Sequence, residues 1–214
     1  MKLKLYTNSH SVSCSKIEVA IDYKSLEIEK LEAINNYGVF SPTATVPCLS
    51  INEMMISNSS AILEFLEDSF PDPTLSSKNP EVKAKIRFMS TLVDEKLVNT
   101  IRKLFGMVKN SSHPSDGVII ENIFKDLTSN LNLVFKIKGE DIFLANSNIS
   151  FADCNAPSFF SMLKEFEKHF NKEVNKSDQF LKYQDNLQSH NTLNKEYKRY
   201  GFEIRNWISN KLLA

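Results

Sequence analysis

Polar and apolar residues alternate over Lys2–Tyr6, with Leu3 and Leu5 on one side, and this period of two predicts a short first strand. Thr7–Ser15 is rich in hydroxyls and reads as a polar loop. From Lys16 the period changes: Ile17, Ala20 and Ile21 stand at i, i+3 and i+4, the spacing of an amphipathic helix ending near Lys24. Leu26, Ile28 and Leu31, interleaved with Glu27 and Lys30, suggest a second strand. Glu32–Phe40 has no clean period and reads as an irregular helix that Gly38 breaks. The stretch Ser41–Ile62 is the most informative. Val46-Pro47 enters an apolar run of Cys48, Leu49 and Ile51, Asn52-Glu53 makes a polar tip, and Met54-Met55-Ile56 returns. Asn58-Ser59-Ser60 then opens a helix whose apolar face is Ala61, Ile62, Phe65 and Leu66, running up to Phe70.

Pro71-Asp72-Pro73 stops that helix, because proline lacks a backbone donor and restricts the residue before it. With Pro80 close behind, we place a domain boundary in Pro71–Pro80, giving an α/β unit over residues 1–75 and an all-helical unit over 76–214. In the second unit Met89, Val93, Leu97, Ile101, Leu104, Phe105 and Val108 form one apolar stripe. Asn110–Asp116 reads as a loop. Ile119, Ile120, Ile123, Leu127, Leu131 and Val134 predict a further helix that Gly139 closes. Ser150-Phe151-Ala152-Asp153 is a variant capping box, and behind it Ala156, Phe159, Phe160, Leu163 and Phe166 mark the most apolar helix, expected at the centre. Pro157 falls inside this helix and predicts a kink. Two or three shorter, polar helices are expected from Ser177 to Asn210.

Composition narrows the function. Of 214 residues, 26 are Lys or Arg and 26 are Asp or Glu, so no net charge argues for nucleic acid or an anionic membrane as partner. Gly38, Gly106, Gly117, Gly139 and Gly201 are scattered, which leaves no glycine-rich phosphate cradle. The N-terminus lacks the apolar core of a signal peptide, and no run reaches the roughly 18 apolar residues of a membrane span. Cys14, Cys48 and Cys154 have no metal-ligand spacing, nor do His10, His113, His169 and His190. The expectation is a cytoplasmic protein with free thiols and no metal. Cys48 and Cys154 lie on apolar elements and read as core, and His10 reads as a surface histidine.

A strand–helix unit, a Val-Pro strand entry, an Asn-Ser-Ser-Ala-Ile helix start, a proline-rich linker and an all-helical unit with a capping box, in this order, resemble a glutathione transferase over nearly the whole chain. The resemblance implies a thioredoxin-like α/β fold followed by a helical domain. It also implies a cis bond at Val46-Pro47, with the Val46 backbone pairing to the cysteinyl unit of glutathione like an added strand. An ordinary trans proline at the start of an edge strand is the other reading of that dipeptide. Ser59 maps onto the serine that holds the γ-glutamyl carboxylate and Asn58 onto a position usually Glu or Gln, although either residue also suits a helix cap. Asn58 is one methylene shorter than Gln and uncharged.

The resemblance places the thiol-activating hydroxyl in the loop before Lys16. Aligning Lys16–Ile21 on the family's first helix selects Ser11, the active position of the zeta and phi classes, where a hydroxyl donating to the sulfur favours the thiolate. A different alignment selects Ser13. Ser11-Val-Ser-Cys14 resembles a redox Cys-x-x-Cys lacking its first cysteine, so Cys14 is expected to be a buried, inert thiol. The implied activity is a glutathione-dependent transferase or isomerase acting on a small electrophile, of the kind used in detoxification, assembled as a homodimer. The site residues are then Ser11, Val46, Pro47, Asn58 and Ser59, with glutathione as co-substrate. The electrophile is expected between the first loop, the Leu92–Val108 helix and the tail near Phe202 and Trp207. The alternative is a non-catalytic interaction module of the stringent-starvation or translation-factor type.

Overall fold

The alternating N-terminus forms strand β1 (Leu3–Thr7), one of the two inner strands of a four-stranded mixed sheet. The computed structural model describes residues 2–33, 38, 40–109 and 114–213. Strands β2 (Glu29–Glu32), β3 (Cys48–Ile51) and β4 (Met54–Ser57) complete the sheet in the order β2-β1-β3-β4. β2 runs parallel to β1, with Lys30 opposite Leu5, and β3 runs antiparallel to β1, with Leu49 opposite Leu5. A parallel pair needs a crossover, and helix α1 (Val12–Tyr23) provides it. β3 is buried at every position, whereas the charged residues of β2 lie on an exposed edge that resists pairing with other chains. The β3–β4 hairpin turns at Asn52, whose φ of 53° is left-handed, a region that asparagine tolerates.

Two sequence expectations need correction here. The second strand begins at Glu29 rather than Leu26 and is extended by the Ala33 N–H donating to the Thr7 carbonyl at 2.7 Å. Leu26 belongs instead to the end of α1. Ser25 turns left-handed (φ 52°), its N–H donates to the Asp22 carbonyl, and the Leu26 N–H donates to the Ile21 carbonyl. That is a Schellman motif, so Leu26 is held against the helix and not in the sheet. Helix α1 itself begins at Val12, which shortens the loop read over Thr7–Ser15. The irregular segment expected over Glu32–Phe40 lies mostly outside the described residues.

Helix α2 (Ser59–Ser69) follows β4, and α3 (Pro80–Leu92) begins with Asn79 as cap and Pro80 in its first turn. Between them the chain is pinned by a buried ion pair. Lys24 Nζ lies 2.8 Å from Glu67 and also donates to the Phe70 and Pro73 carbonyls, while Glu67 accepts the Leu75 N–H at 3.0 Å. From α3 the helix continues through a π-helical segment (Val93–Val98), α4 (Asn99–Arg102) and a 3-10 turn (Lys103–Met107). Met89, Val93, Leu97 and Ile101 are spaced by four residues, a row that would drift off one face of a 3.6-residue helix. The wider π-helical turn absorbs the excess, and all of them are buried.

Helix α5 (Pro114–Lys138) starts inside the stretch read as the loop Asn110–Asp116, of which 110–113 lies outside the described residues. Gly139 ends it at φ 65°. The capping box at Ser150–Asp153 is formed, and α6 (Ala156–Phe170) carries Phe159, Phe160, Leu163 and Phe166 into the core. Pro157 sits in the first turn of α6, where its missing N–H removes no hydrogen bond, so the expected kink has no cause. Helices α7 (Asp178–Ser189) and α8 (Asn191–Leu213) end the described chain, and α8, at 23 residues against 15 for α6, is not the short helix expected. Its buried face of Leu193, Tyr200, Ile204 and Ile208 packs along α6, with Gly201 giving a close approach to Ser161. Among the described residues no helix is long and apolar enough to cross a membrane.

Candidate functional site

The loop before α1 is folded by its own polar groups. Asn8 Oδ1 accepts the His10 N–H at 3.0 Å, its carbonyl accepts the Ser11 N–H at 3.0 Å, and its Nδ2 donates to the Ala33 carbonyl at 3.3 Å. Ser11 is the N-cap of α1, with extended backbone and Oγ accepting the Cys14 N–H at 3.3 Å. A hydroxyl that accepts through a lone pair keeps its proton available, so the Ser11 O–H can donate outward. Ser13, in the first turn, is half-buried. Cys14 is buried, and burial pushes its thiol above the usual value, against weaker hydrogen bonds from Ser11 and Thr7, as suits an inert thiol. Tyr200 donates from α8 to the His10 carbonyl at 2.8 Å, and His10 Nε2 lies 3.7 Å from Glu203.

The second wall is the entry to β3. The Val46-Pro47 bond is cis, which leaves the edge-strand trans reading behind. Ahead of it Ser41 Oγ accepts the Thr45 N–H at 3.1 Å and lies 2.9 Å from Ser57 Oγ. Val46 makes no backbone hydrogen bond among the described residues, so both its N–H and its C=O are open.

The third wall is the start of α2. Asn58 takes φ 85° and its Oδ1 accepts the Ser60 and Ala61 N–H groups at 2.9 and 3.3 Å, which makes Asn58, not Ser59, the cap. Its oxygen is therefore committed to the helix, and its Nδ2 is left as a donor. Ser59 is the first helical residue, half-buried, with a hydroxyl that has no partner among the described residues.

These walls meet. One depression of about 420 Å³ is lined by Ser11, Ser13, Val46, Pro47, Asn58 and Ser59, together with Ala44, Thr45 and Arg102. A second, of about 280 Å³, shares Ser11, Ser13, Val46 and Arg102 and adds Asn8, His10, Val12 and Phe105. Phe105 stacks edge-on against Trp207, ring centroids 4.7 Å apart, so the tail residue named from sequence supports this wall. A larger depression, about 940 Å³, lies elsewhere, along the linker by Pro71–Lys78, and contains none of the chosen site residues. Arg102 was missed in the sequence: it sits on the polar side of an apolar stripe, and only the helix's path brings it to the first loop. Among the described residues no group of His, Cys, Asp and Glu is arranged to hold a metal.

Beneath the site a buried cation ties the halves together. The Lys16 side chain is fully buried, with Nζ 2.8 Å from Asp94 on the π-helical segment and 3.3 Å from Ser60 Oγ. Asp94 in turn accepts from Asn155 Nδ2. Lys16→Met should lower the unfolding free energy by about 2 kcal/mol, short of the full cost of orphaning a buried charge because Asp94 is partly solvated. Lys30→Met, which breaks the exposed pair with Glu18, should cost under about 1 kcal/mol, so urea unfolding of the two variants separates them. Equal midpoints would refute the buried role.

No protein-family model matches the chain. Over 102 residues it is 31% identical to a maleylacetoacetate isomerase of Pseudomonas aeruginosa, covering 42% of this chain and 48% of that protein. Over 106 residues it is 24% identical to a stringent starvation protein A homolog of Haemophilus influenzae, covering 47% of this chain and 50% of that one. The chain thus spans about half the length of the curated relatives it matches. Among solved structures, rice GST1 in complex with glutathione superposes with TM-score 0.80 at 17% identity, over 98% of this chain and 95% of that one. A maleylacetoacetate isomerase from Anaeromyxobacter dehalogenans gives 0.70 at 17% identity, over 93% and 92%. At that identity these structures bear on the fold: an α/β thioredoxin-like unit followed by an all-helical one.

Proposed function

We propose that the chain is a member of the glutathione transferase superfamily that binds glutathione in the smaller pair of depressions and activates its thiol against a small electrophile. The open N–H and C=O of Val46 pair with the cysteinyl amide as one strand pairs with another. Ser59, through its hydroxyl and its own N–H, takes the γ-glutamyl carboxylate at the start of α2, where the helix end favours negative charge. That leaves the sulfur toward Ser11, whose proton is available to donate. The thiol proton leaves to solvent, the Ser11 hydroxyl stabilises the thiolate, and the sulfur lone pair forms the new S–C bond while the electrophile's electron pair moves to its leaving group or adjacent carbon. In an isomerisation the same S–C bond breaks again after rotation.

The observation that carries this reading is the convergence of Ser11, Val46, Pro47, Asn58 and Ser59 on one depression from three separate elements. Calorimetric titration tests it: a dissociation constant of about 1 mM or tighter is expected, and absence of binding at ten times that concentration overturns it. One observation favours the non-catalytic alternative. The Asn58 oxygen is taken up by its own helix and offers the ligand's amino group no acceptor. Absence of glutathione binding would therefore turn the reading to an interaction module.

A further inference from the structure

We infer that Tyr200 is a positioning residue for Ser11: from helix α8 it holds the peptide group through which the serine hydroxyl is aimed at the sulfur. The inference rests on the glutathione reading above. The carbonyl of His10 and the N–H of Ser11 belong to one planar peptide. Tyr200 Oη donates to that carbonyl at 2.8 Å, and the Ser11 N–H donates to the Asn8 carbonyl at 3.0 Å. With both poles tied, the plane is kept from turning. A turn would change φ of Ser11, now −84°, and with it the direction in which Cβ carries the hydroxyl.

The tie comes from one face of α8, on which Glu196, Tyr200 and Glu203 stand at i, i+4 and i+7. Glu196 accepts the Ser15 hydroxyl at 2.5 Å, and Glu203 lies 3.7 Å from His10 Nε2. That face therefore grips the chain on both sides of Ser11. Helix α8 is anchored in turn on α6, where Ser161 Oγ donates to the Tyr197 carbonyl at 2.6 Å. Tyr200 is fully buried, and phenylalanine would fill the same space. A buried hydroxyl is destabilising unless it is bonded, and this one is bonded to the residue before Ser11. The charged and titratable groups facing it are Arg199 and Glu196 on α8, Arg102 on α4 and Cys14 on α1. Burial has the strongest influence, raising the phenol above its ordinary value and keeping it a donor.

The test reads the thiol of bound glutathione, so it needs no second substrate. Thiolate absorbance is followed against pH, with S-methylglutathione on the same protein as the blank. The wild type should hold the thiol below its free value near 8.5. Tyr200→Phe keeps the ring and removes only the donor. It should bind glutathione within about twofold of wild type and raise the pKa of the bound thiol by about one, a tenfold loss of thiolate at neutral pH. In a Ser11→Ala background the same substitution should move that pKa by less than about 0.3, because Tyr200 acts through the serine. A packing role alone would give equal shifts in both backgrounds, or none in either. Glu203→Gln, on a partly exposed side chain, loosens His10 from outside. It should raise the pKa by a smaller step, again only with Ser11 present, and it decides the question if Tyr200→Phe does not fold. Equal shifts in the two backgrounds, or a Tyr200→Phe protein that titrates like wild type, overturn the inference and leave the glutathione reading intact. A wild type that binds no glutathione, or binds it with the thiol at its free value, defeats that reading and this inference with it.

Discussion

Asp153→Ala is expected to lower the unfolding free energy by about 4 kcal/mol, the largest loss of any single substitution considered, and the melting temperature by about 10 °C. Asp153 is fully buried and accepts from the Leu144 N–H, the Ser150 N–H, the Ser150 hydroxyl and the Tyr183 hydroxyl, each at 2.9 Å. Alanine would leave two buried backbone N–H groups without partners, at about 1–3 kcal/mol each. It would also release Tyr183, whose ring packs on Phe135 and Phe160 in the helical core. Burial pushes the carboxyl up to about 6, while the hydrogen bonds from Leu144, Tyr183 and Ser150 pull the other way. A folded value above the ordinary 3.8 means that this contribution is fullest below 3.8 and is lost as pH rises through about 6. The stability gap between wild type and Asp153→Asn should therefore narrow between about pH 4 and pH 7, as urea unfolding at a series of pH values would show. A gap that widens would mean that the four donors outweigh burial.

Much of the fold follows from local rules that a sequence displays. The period of two in Leu3–Thr7, the apolar tip-to-tip hairpin after Pro47, the capping box at Ser150 and the stop at Gly139 each depend on neighbours in the chain, and each is where the pattern put it. The departures come from effects that reach beyond one element. Leu26 is apolar whether it faces a sheet or closes a Schellman motif, and the left-handed Ser25 that decides between them carries no glycine signal. Hydroxyls suit loops, caps and first turns alike, so the run from Ser9 to Ser15 concealed a helix start at Val12. In α8 the polar residues outnumber the buried ones, and its length rests on packing against α6. The site divides the same way. Val46, Pro47, Asn58 and Ser59 could be chosen because they are contiguous in two short motifs. Arg102 reaches them only through a helix whose π-helical turn resets which residues face inward.

Ser11→Ala is expected to reduce kcat/KM by about a hundredfold near neutral pH, the scale for losing one hydrogen-bond donor to a developing or stabilised anion. The cap geometry is what distinguishes Ser11 from Ser13. Ser11 Oγ is positioned by the Cys14 N–H at 3.3 Å with its own proton left to donate, whereas Ser13 sits one half-turn on with no side-chain hydrogen bond among the described residues. Loss of the cap also costs about 1 kcal/mol of stability, which a stability measurement removes from the comparison. Ser11→Thr keeps both cap and hydroxyl and should recover most of the rate. The decisive readout is the pH profile. A free thiol ionises near 8.5, so the deficit of Ser11→Ala should shrink as pH rises past that value and the thiolate forms without help. Ser13→Ala should stay within about threefold of wild type at every pH, because it would remove no donor from the sulfur. Equal losses at the two serines, or a Ser11 deficit that does not change with pH, would move the activating hydroxyl elsewhere in the depression.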